Sequence, residues 1–130
     1  MFAFSVSYTT RNIRPNEVDG VHYNFVTKEK FIAMEKNEEF IETASVHGNF
    51  YGTAKAGITL IQDQKKIPLL DIDVQGAIKF ERKFTHSNFV FVCPPSILEM
   101  SERLVKRGTE SEESLKTRVG NATNEITTLL

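Results

Sequence analysis

Two short apolar runs constrain this chain more than any other feature: "IPLLDIDV" from Ile67 to Val74 and "NFVFVC" from Asn88 to Cys93. Each is bounded by turn-forming residues and followed by a stretch with helical spacing, "QGAIKFERKF" and then "SILEMSERLVKR". Continuous apolar runs of this length suit strands buried on both faces, and strand–helix–strand–helix order implies a parallel sheet with right-handed crossovers. Ligands of such sheets bind beyond the carboxyl ends of the strands, which is where Asp71 and Asp73 fall.

The first half reads differently. "FAFSVS" alternates as a strand, and a Pro/Asn/Asp/Gly loop runs from Arg14 to Gly20. "KEKFIAMEKN" is a short helix that Thr27 can cap and Asn37 can close. "EFIETASV" is a second strand, "HGNFYG" a turn, and "TAKAGITLIQDQKK" an amphipathic helix. This half is expected to be a small α+β insertion. After it, Ser96 and Glu99 form a capping box for the helix carrying Ile97, Met100, Leu104 and Val105 on one face. A last helix follows "RGTESEES", with Leu115, Val119, Ala122, Ile126 and Leu129 in a stripe.

At 130 residues the chain holds one real core. A net charge of −1 offers no bulk attraction to nucleic acid or anionic membrane. No apolar run spans a bilayer, no signal-peptide layout opens the chain, and Cys93 is alone. A cytoplasmic protein is expected, with Cys93 as a small hydrophobe in a buried strand.

Four groups of polar residues can do chemistry. Ser7, Thr9, Thr10, Arg11 and Arg14 lie at a strand end, where guanidinium forks match phosphate oxygens; the alternative is a solvated loop. Glu42 sits on a strand among apolar neighbours, with Tyr51 between Gly48 and Gly52. A carboxylate accepts both N1–H and the N2 amino group of guanine, and a tyrosine donates to phosphate. The alternatives are an edge charge facing water and simple packing. Asp71 and Asp73 share a strand face and can hold magnesium through water or bind a nucleotide, unless Asp73 only caps the next helix. Arg103 and Arg107 project together from one helix, with Arg118 beyond a polar loop, either toward a polyanion or as a solvated face paired with glutamates. His22 and His47 have no neighbouring His or Cys for a metal site. Together the groups describe a nucleoside-monophosphate site with an arginine-bearing lid.

Taken in order, S-x-S-x-T-T-R, E-V-D-G-x-x-Y-x-F, F-I-E, G-N-x-Y-G, L-D-I-D-x-Q-G, P-P-S and R-L-x-x-R-G-T-E-S-E-E-S resemble guanylate kinase from Phe4 to about Glu125. The resemblance implies a P-loop nucleoside-monophosphate-kinase-like α/β fold. Residues 7–66 would be the GMP-binding subdomain, 67–100 core and 101–118 lid. Ser7 and Glu42 would read guanine, with Asp73 nearby. Arg11, Arg14, Tyr23 and Tyr51 would hold the GMP phosphate, supported by Glu17 and Thr53. Asp71 would face the water shell of the magnesium that accompanies ATP. Arg103, Arg107 and Arg118 would neutralise the phosphates in transit.

The departures are instructive. Where the family reads R-x-P-R-x-G-E, this chain reads "RNIRPNE"; asparagine tolerates a left-handed backbone, so the turn at Asn16 can survive. None of the seven glycines forms G-x-x-x-x-G-K-[ST]. The chain reads as the middle of a guanylate kinase, lacking the first strand, the P-loop and a closing strand and helix. Such a chain is expected to be marginally stable, to self-associate through exposed sheet edges, and to bind GMP without turnover. The competing reading is a non-catalytic interaction or GMP-binding module. Scaffold proteins of that kind typically lose the aspartates and lid, whereas Asp71, Asp73, Arg107, Gly108, Thr109 and Glu110 are all here.

Overall fold

The computed structural model describes residues 1–106 and 112–129 and divides into two units, Met1–Ser87 and a second beginning at Asn88. The first unit contains β1 (Phe2–Phe4), β2 (Tyr8–Thr9), β3 (Asn24–Phe25), α1 (Lys28–Lys36), β4 (Phe40–Val46), β5 (Asn49–Ala54), α2 (Lys55–Asp63), β6 (Ile67–Leu69) and α3 (Val74–Lys83). Its strands form a mixed four-stranded sheet in the order β3-β2-β5-β4 and a separate parallel pair, β1-β6. The mixed α/β architecture expected from sequence is present.

Local chemistry explains the elements. Thr27 caps α1 by accepting from the Lys30 amide, and the Asn37 amide bonds back to Ala33 at its end. His47 and Gly48, both at positive φ (50° and 79°), make the two-residue turn between β4 and β5, the geometry that matches the twist of a hairpin. The "HGNFYG" segment is therefore a turn only at its first two residues. Its remainder opens β5, because a tight turn frees Asn49 to pair with Val46 at once.

One irregularity decides what each sheet face carries. Phe40 opposes Ala54, yet Glu42 opposes Thr53, so one extra residue is accommodated near Ile41. Without this bulge Phe40 and Glu42 would share a face, since side chains alternate along a strand. With it, Phe40 joins Phe31, Met34 and Ala54 in the core under α1, and Glu42 is delivered to the opposite face. Phe31 stacks on Phe40 with centroids 4.5 Å apart. Gly52 is required here: a β-carbon at this position would lie 2.9 Å from the Phe40 ring.

The β1-β6 pair joins Phe2 to Ile67, Ala3 to Pro68 and Phe4 to Leu69. Its apolar side chains are open, with Phe2 67% and Ile67 55% exposed, so "IPLLDIDV" is a short strand not buried on both faces. The second expected strand, "NFVFVC", is not one among the described residues. It runs without ladder partners, and Val90 and Val92 are each 86% exposed. A strand buried on both faces needs neighbours on both edges, and its apolar pattern alone cannot supply them. Cys93 is consequently exposed and not buried as expected.

The second unit contains α4 (Ile97–Lys106) and α5 (Glu112–Leu129). Ser96 accepts from the Glu99 amide at 3.1 Å, as the capping box requires. Helix α5 begins at Glu112, inside the stretch expected as loop.

Candidate functional site

The loop between β2 and β3 organises one end of the site. Arg14, Pro15, Asn16 and Glu17 form a turn closed by the Glu17 amide on the Arg14 carbonyl at 3.1 Å, with Asn16 at φ 68°. Proline second and a left-handed residue third is the pattern of a type II turn, so asparagine serves where glycine is customary. The turn swings the Glu17 carboxylate back. It accepts from Arg11 Nη1 at 3.1 Å, Arg11 Nη2 at 2.8 Å and the Arg14 amide at 2.7 Å. Beneath the Arg11 guanidinium lie the rings of Tyr23 and Phe25, 5.5 and 5.6 Å from their centroids. Tyr23 meets Tyr51 edge-on at 6.1 Å.

The electrostatics follow from these contacts. Hydrogen bonding to Glu17 holds the Arg11 proton more tightly than usual, and the same bonds keep Glu17 below the ordinary carboxylate range. Burial pushes the Tyr23 hydroxyl up, with the Tyr51 and Asp71 charges acting the same way. Asp71 itself is exposed, beyond the end of β6.

The other end is built on the hairpin. Glu42 is buried at 6% exposure, although β4 is a sheet edge, and Thr53 opposite it donates to Oε1 at 2.7 Å. Burial raises the Glu42 pKa, and the charge of Asp73 adds to the effect. Asp73 caps α3, accepting from the Gly76 amide at 2.8 Å. Register places Glu42, Thr53 and Tyr51 on the sheet face opposite α1. Ser7 is half-buried just before β2, and its carbonyl accepts from the Asn24 amide at 2.8 Å.

The guanylate kinase family model matches residues 1–129. The chain belongs to the guanylate kinase family. It is 48% identical to a guanylate kinase of Clostridium perfringens over 94% of its own length and 56% of that protein. It is 48% identical to guanylate kinase 1 of Arabidopsis thaliana over 97% of its length and 33% of that protein. A crystal structure of guanylate kinase from Anaplasma phagocytophilum superposes with a TM-score of 0.77 at 37% identity, covering 97% of this chain and 60% of that one. The chain thus spans about half the length of the curated relatives it matches.

Of the positions that the guanylate kinase motifs single out, Arg11, Arg14, Glu17, Tyr23 and Tyr51 gather at one end and Glu42, Thr53 and Asp73 at the other. Thr53, expected beside the phosphate group, supports Glu42 directly at the other end. In the second unit Arg103 pairs with Glu99 at 2.8 Å on the exposed face of α4, Arg118 lies on α5, and Arg107 falls outside the described residues. Phe25 and Gly76 stand in the quoted motifs, but the sequence assigned neither a role. Phe25 was signalled by its period-two spacing from Tyr23. Gly76 was signalled by being a glycine in the first turn of a helix, where only a close approach justifies so poor a helix former.

Proposed function

We propose that this chain is the acceptor half of an ATP-dependent GMP kinase: it binds GMP across the β2–β5 face, with guanine at Glu42 and phosphate at Arg11. The observation that carries the reading is the buried Glu42 carboxylate, held by the Thr53 hydroxyl at its Oε1 and kept above the ordinary carboxylate range because burial outweighs the opposing charge of Lys79. A carboxylate desolvated to that degree is costly unless donors meet it, and guanine brings two adjacent ones. Adenine brings none in that position. At the other end, Arg11, Arg14, Tyr23 and Tyr51 hold the phosphate, with Glu17 as the brace that keeps the guanidinium over the rings of Tyr23 and Phe25. Ser7 and Asp73 complete the base pocket.

Phosphoryl transfer is positioning plus charge neutralisation, and on this reading residues 7–66 position the acceptor while 101–118 supply Arg103, Arg107 and Arg118 to the transferring group. Magnesium enters with ATP as part of that substrate. Asp71 fits such an ion through water: it is a single exposed carboxylate, and among the described residues no three His, Cys, Asp or Glu gather to hold a resident metal. No helix among the described residues is long and apolar enough to cross a membrane.

The 130 residues as they stand are proposed to bind GMP without forming GDP, because no G-x-x-x-x-G-K-[ST] occurs in them to grip the donor phosphates. Calorimetry with GMP, guanosine and AMP tests the first part, and a coupled ADP-release assay with magnesium ATP the second. Equal affinity for GMP and AMP would sink the reading of Glu42; robust turnover would sink the reading of the chain as acceptor half alone. The open apolar faces of β1 and β6 further support self-association, which light scattering on the purified chain checks; a monomer at all concentrations removes it.

A further inference from the structure

Helix α3 lies along the outer edge of β4 and is tied to it by two lysines. Lys79 Nζ donates to the Thr43 carbonyl at 2.6 Å, and Lys83 Nζ to the Ile41 carbonyl at 2.7 Å. The spacings match: four helical residues rise about 6 Å and two strand residues about 6.6 Å, so one helix face serves both carbonyls without distortion. The residue between those carbonyls is Glu42. In the first turn of the same helix, Gly76 stands against the Glu42 carboxylate. A β-carbon at Gly76 would lie 2.7 Å from Glu42 Oε2 and 2.9 Å from Asp73 Oδ1. Neither oxygen can retreat easily, since Thr53 holds the first carboxylate and the Gly76 amide bonds the second.

We infer that Gly76, Lys79 and Lys83 are positioning residues for Glu42. The lysines clamp α3 to the sheet edge, and the bare backbone at Gly76 leaves the carboxylate in the one orientation that presents both oxygens to a base. This rests on the reading of Glu42 as the acceptor of guanine's N–H groups and adds a further statement. Discrimination between purine monophosphates belongs to α3 as much as to the strand that carries the acid. A tether that served only the fold would change affinity for every nucleotide alike. A positioning role changes the ratio between GMP, which uses the carboxylate, and AMP, which does not.

The test uses the 130-residue chain in four forms: unmodified, Gly76→Ala, the pair Lys79→Met/Lys83→Met, and the pair Lys79→Arg/Lys83→Arg. Calorimetry gives GMP and AMP affinities, and circular dichroism confirms folding. Gly76→Ala is expected to lower the GMP-to-AMP ratio about tenfold, as for one lost bond to a charged group, with AMP affinity changed less than about twofold. The methionine pair is expected to lower the ratio about threefold and the arginine pair, which keeps the donors, to preserve it. A folded Gly76→Ala protein with an unchanged ratio overturns the inference. Should that variant not fold, an unchanged ratio in the methionine pair does so. A uniform loss of GMP and AMP affinity also overturns it, and an unmodified chain without preference removes the reading of Glu42 itself before any variant is compared.

Discussion

At one end of the candidate site Arg11 lies between a carboxylate and two aromatic rings, its charge answered on every side by the protein. At the other, Glu42 is more deeply buried and has a threonine hydroxyl for company, with the negative charge of Asp73 adding to its discomfort. Both are charged groups withdrawn from water, but the contacts of the first more than offset its burial, whereas the Thr53 bonds and the Lys79 charge do not offset the burial of the second. The difference teaches how such a site divides its labour. A pre-paired arginine gives a ligand modest extra attraction and a fixed geometry, whereas an under-answered carboxylate rewards only the ligand that brings the right donors. Affinity for an anion belongs to one end, and choice among bases to the other.

The largest expected effect breaks the comparison at its under-answered end. Glu42→Gln should cost GMP about 2–3 kcal/mol while leaving AMP nearly unchanged, because an amide offers one acceptor and one donor where guanine needs two acceptors. Calorimetric titration of both nucleotides checks this, and parallel losses would show that Glu42 supports the fold and not the base.

Next is Arg11→Ala. It should weaken GMP by about 1.5–3 kcal/mol, the worth of a charge-assisted bond, and leave guanosine within about twofold. Equal loss for nucleotide and nucleoside would move Arg11 from ligand binding to structure. Thr53→Val then tests what the hydroxyl contributes to the acid. Removing the donor should lower stability by about 1–3 kcal/mol in urea denaturation, the cost of a buried acceptor left without a partner.

How much of this could be read from the chain beforehand depended on whether the cause was local. The capping of α1 by Thr27 and the strand around Glu42 are local matters, settled by neighbours in sequence, and they appear where expected; the cap of α3 by Asp73, equally local, was the alternative weighed against a ligand role. The clustering of Arg11, Glu17 and Tyr23 was legible only through a family's motifs, since nothing in their spacing alone makes them meet. The bulge near Ile41 was not legible at all: "FIETASV" alternates no differently with it than without it. The run at Phe89–Cys93 failed for the opposite reason. Its composition is that of a doubly buried strand, but pairing is a property of partners, and composition cannot provide them.

The smallest effect sharpens the comparison through pH, because the two ends carry opposite signs. Glu17 is held below its ordinary value of 4.5, so the stability of its pair with Arg11 is in place above that pH and is lost only as acidification passes through the lowered folded value. Glu42 is raised above 4.5 by burial, so its charged form costs the fold, and acidification through that raised value relieves the cost. Guanosine binding, which needs the charged acid, should therefore weaken on descending from neutral pH while the fold still holds. Guanosine has no phosphate to titrate, and Glu42→Gln supplies the baseline. A guanosine affinity that falls only together with the urea midpoint, below pH 4.5, would remove the distinction between the ends.

The His47–Gly48 turn has a consequence in time. A two-residue hairpin closes in about 1–10 μs, among the quickest tertiary events available to a chain, whereas joining Phe2 to Ile67 must first confine everything between them. The hairpin therefore assembles early and the parallel pair late. Glu42 and Thr53 meet across that hairpin, so the acid and its hydroxyl are brought together while most of the molecule is still searching. Pulse-labelled hydrogen exchange should find the amides of β4 and β5 protected before those of β1 and β6, and the reverse order would discard this history.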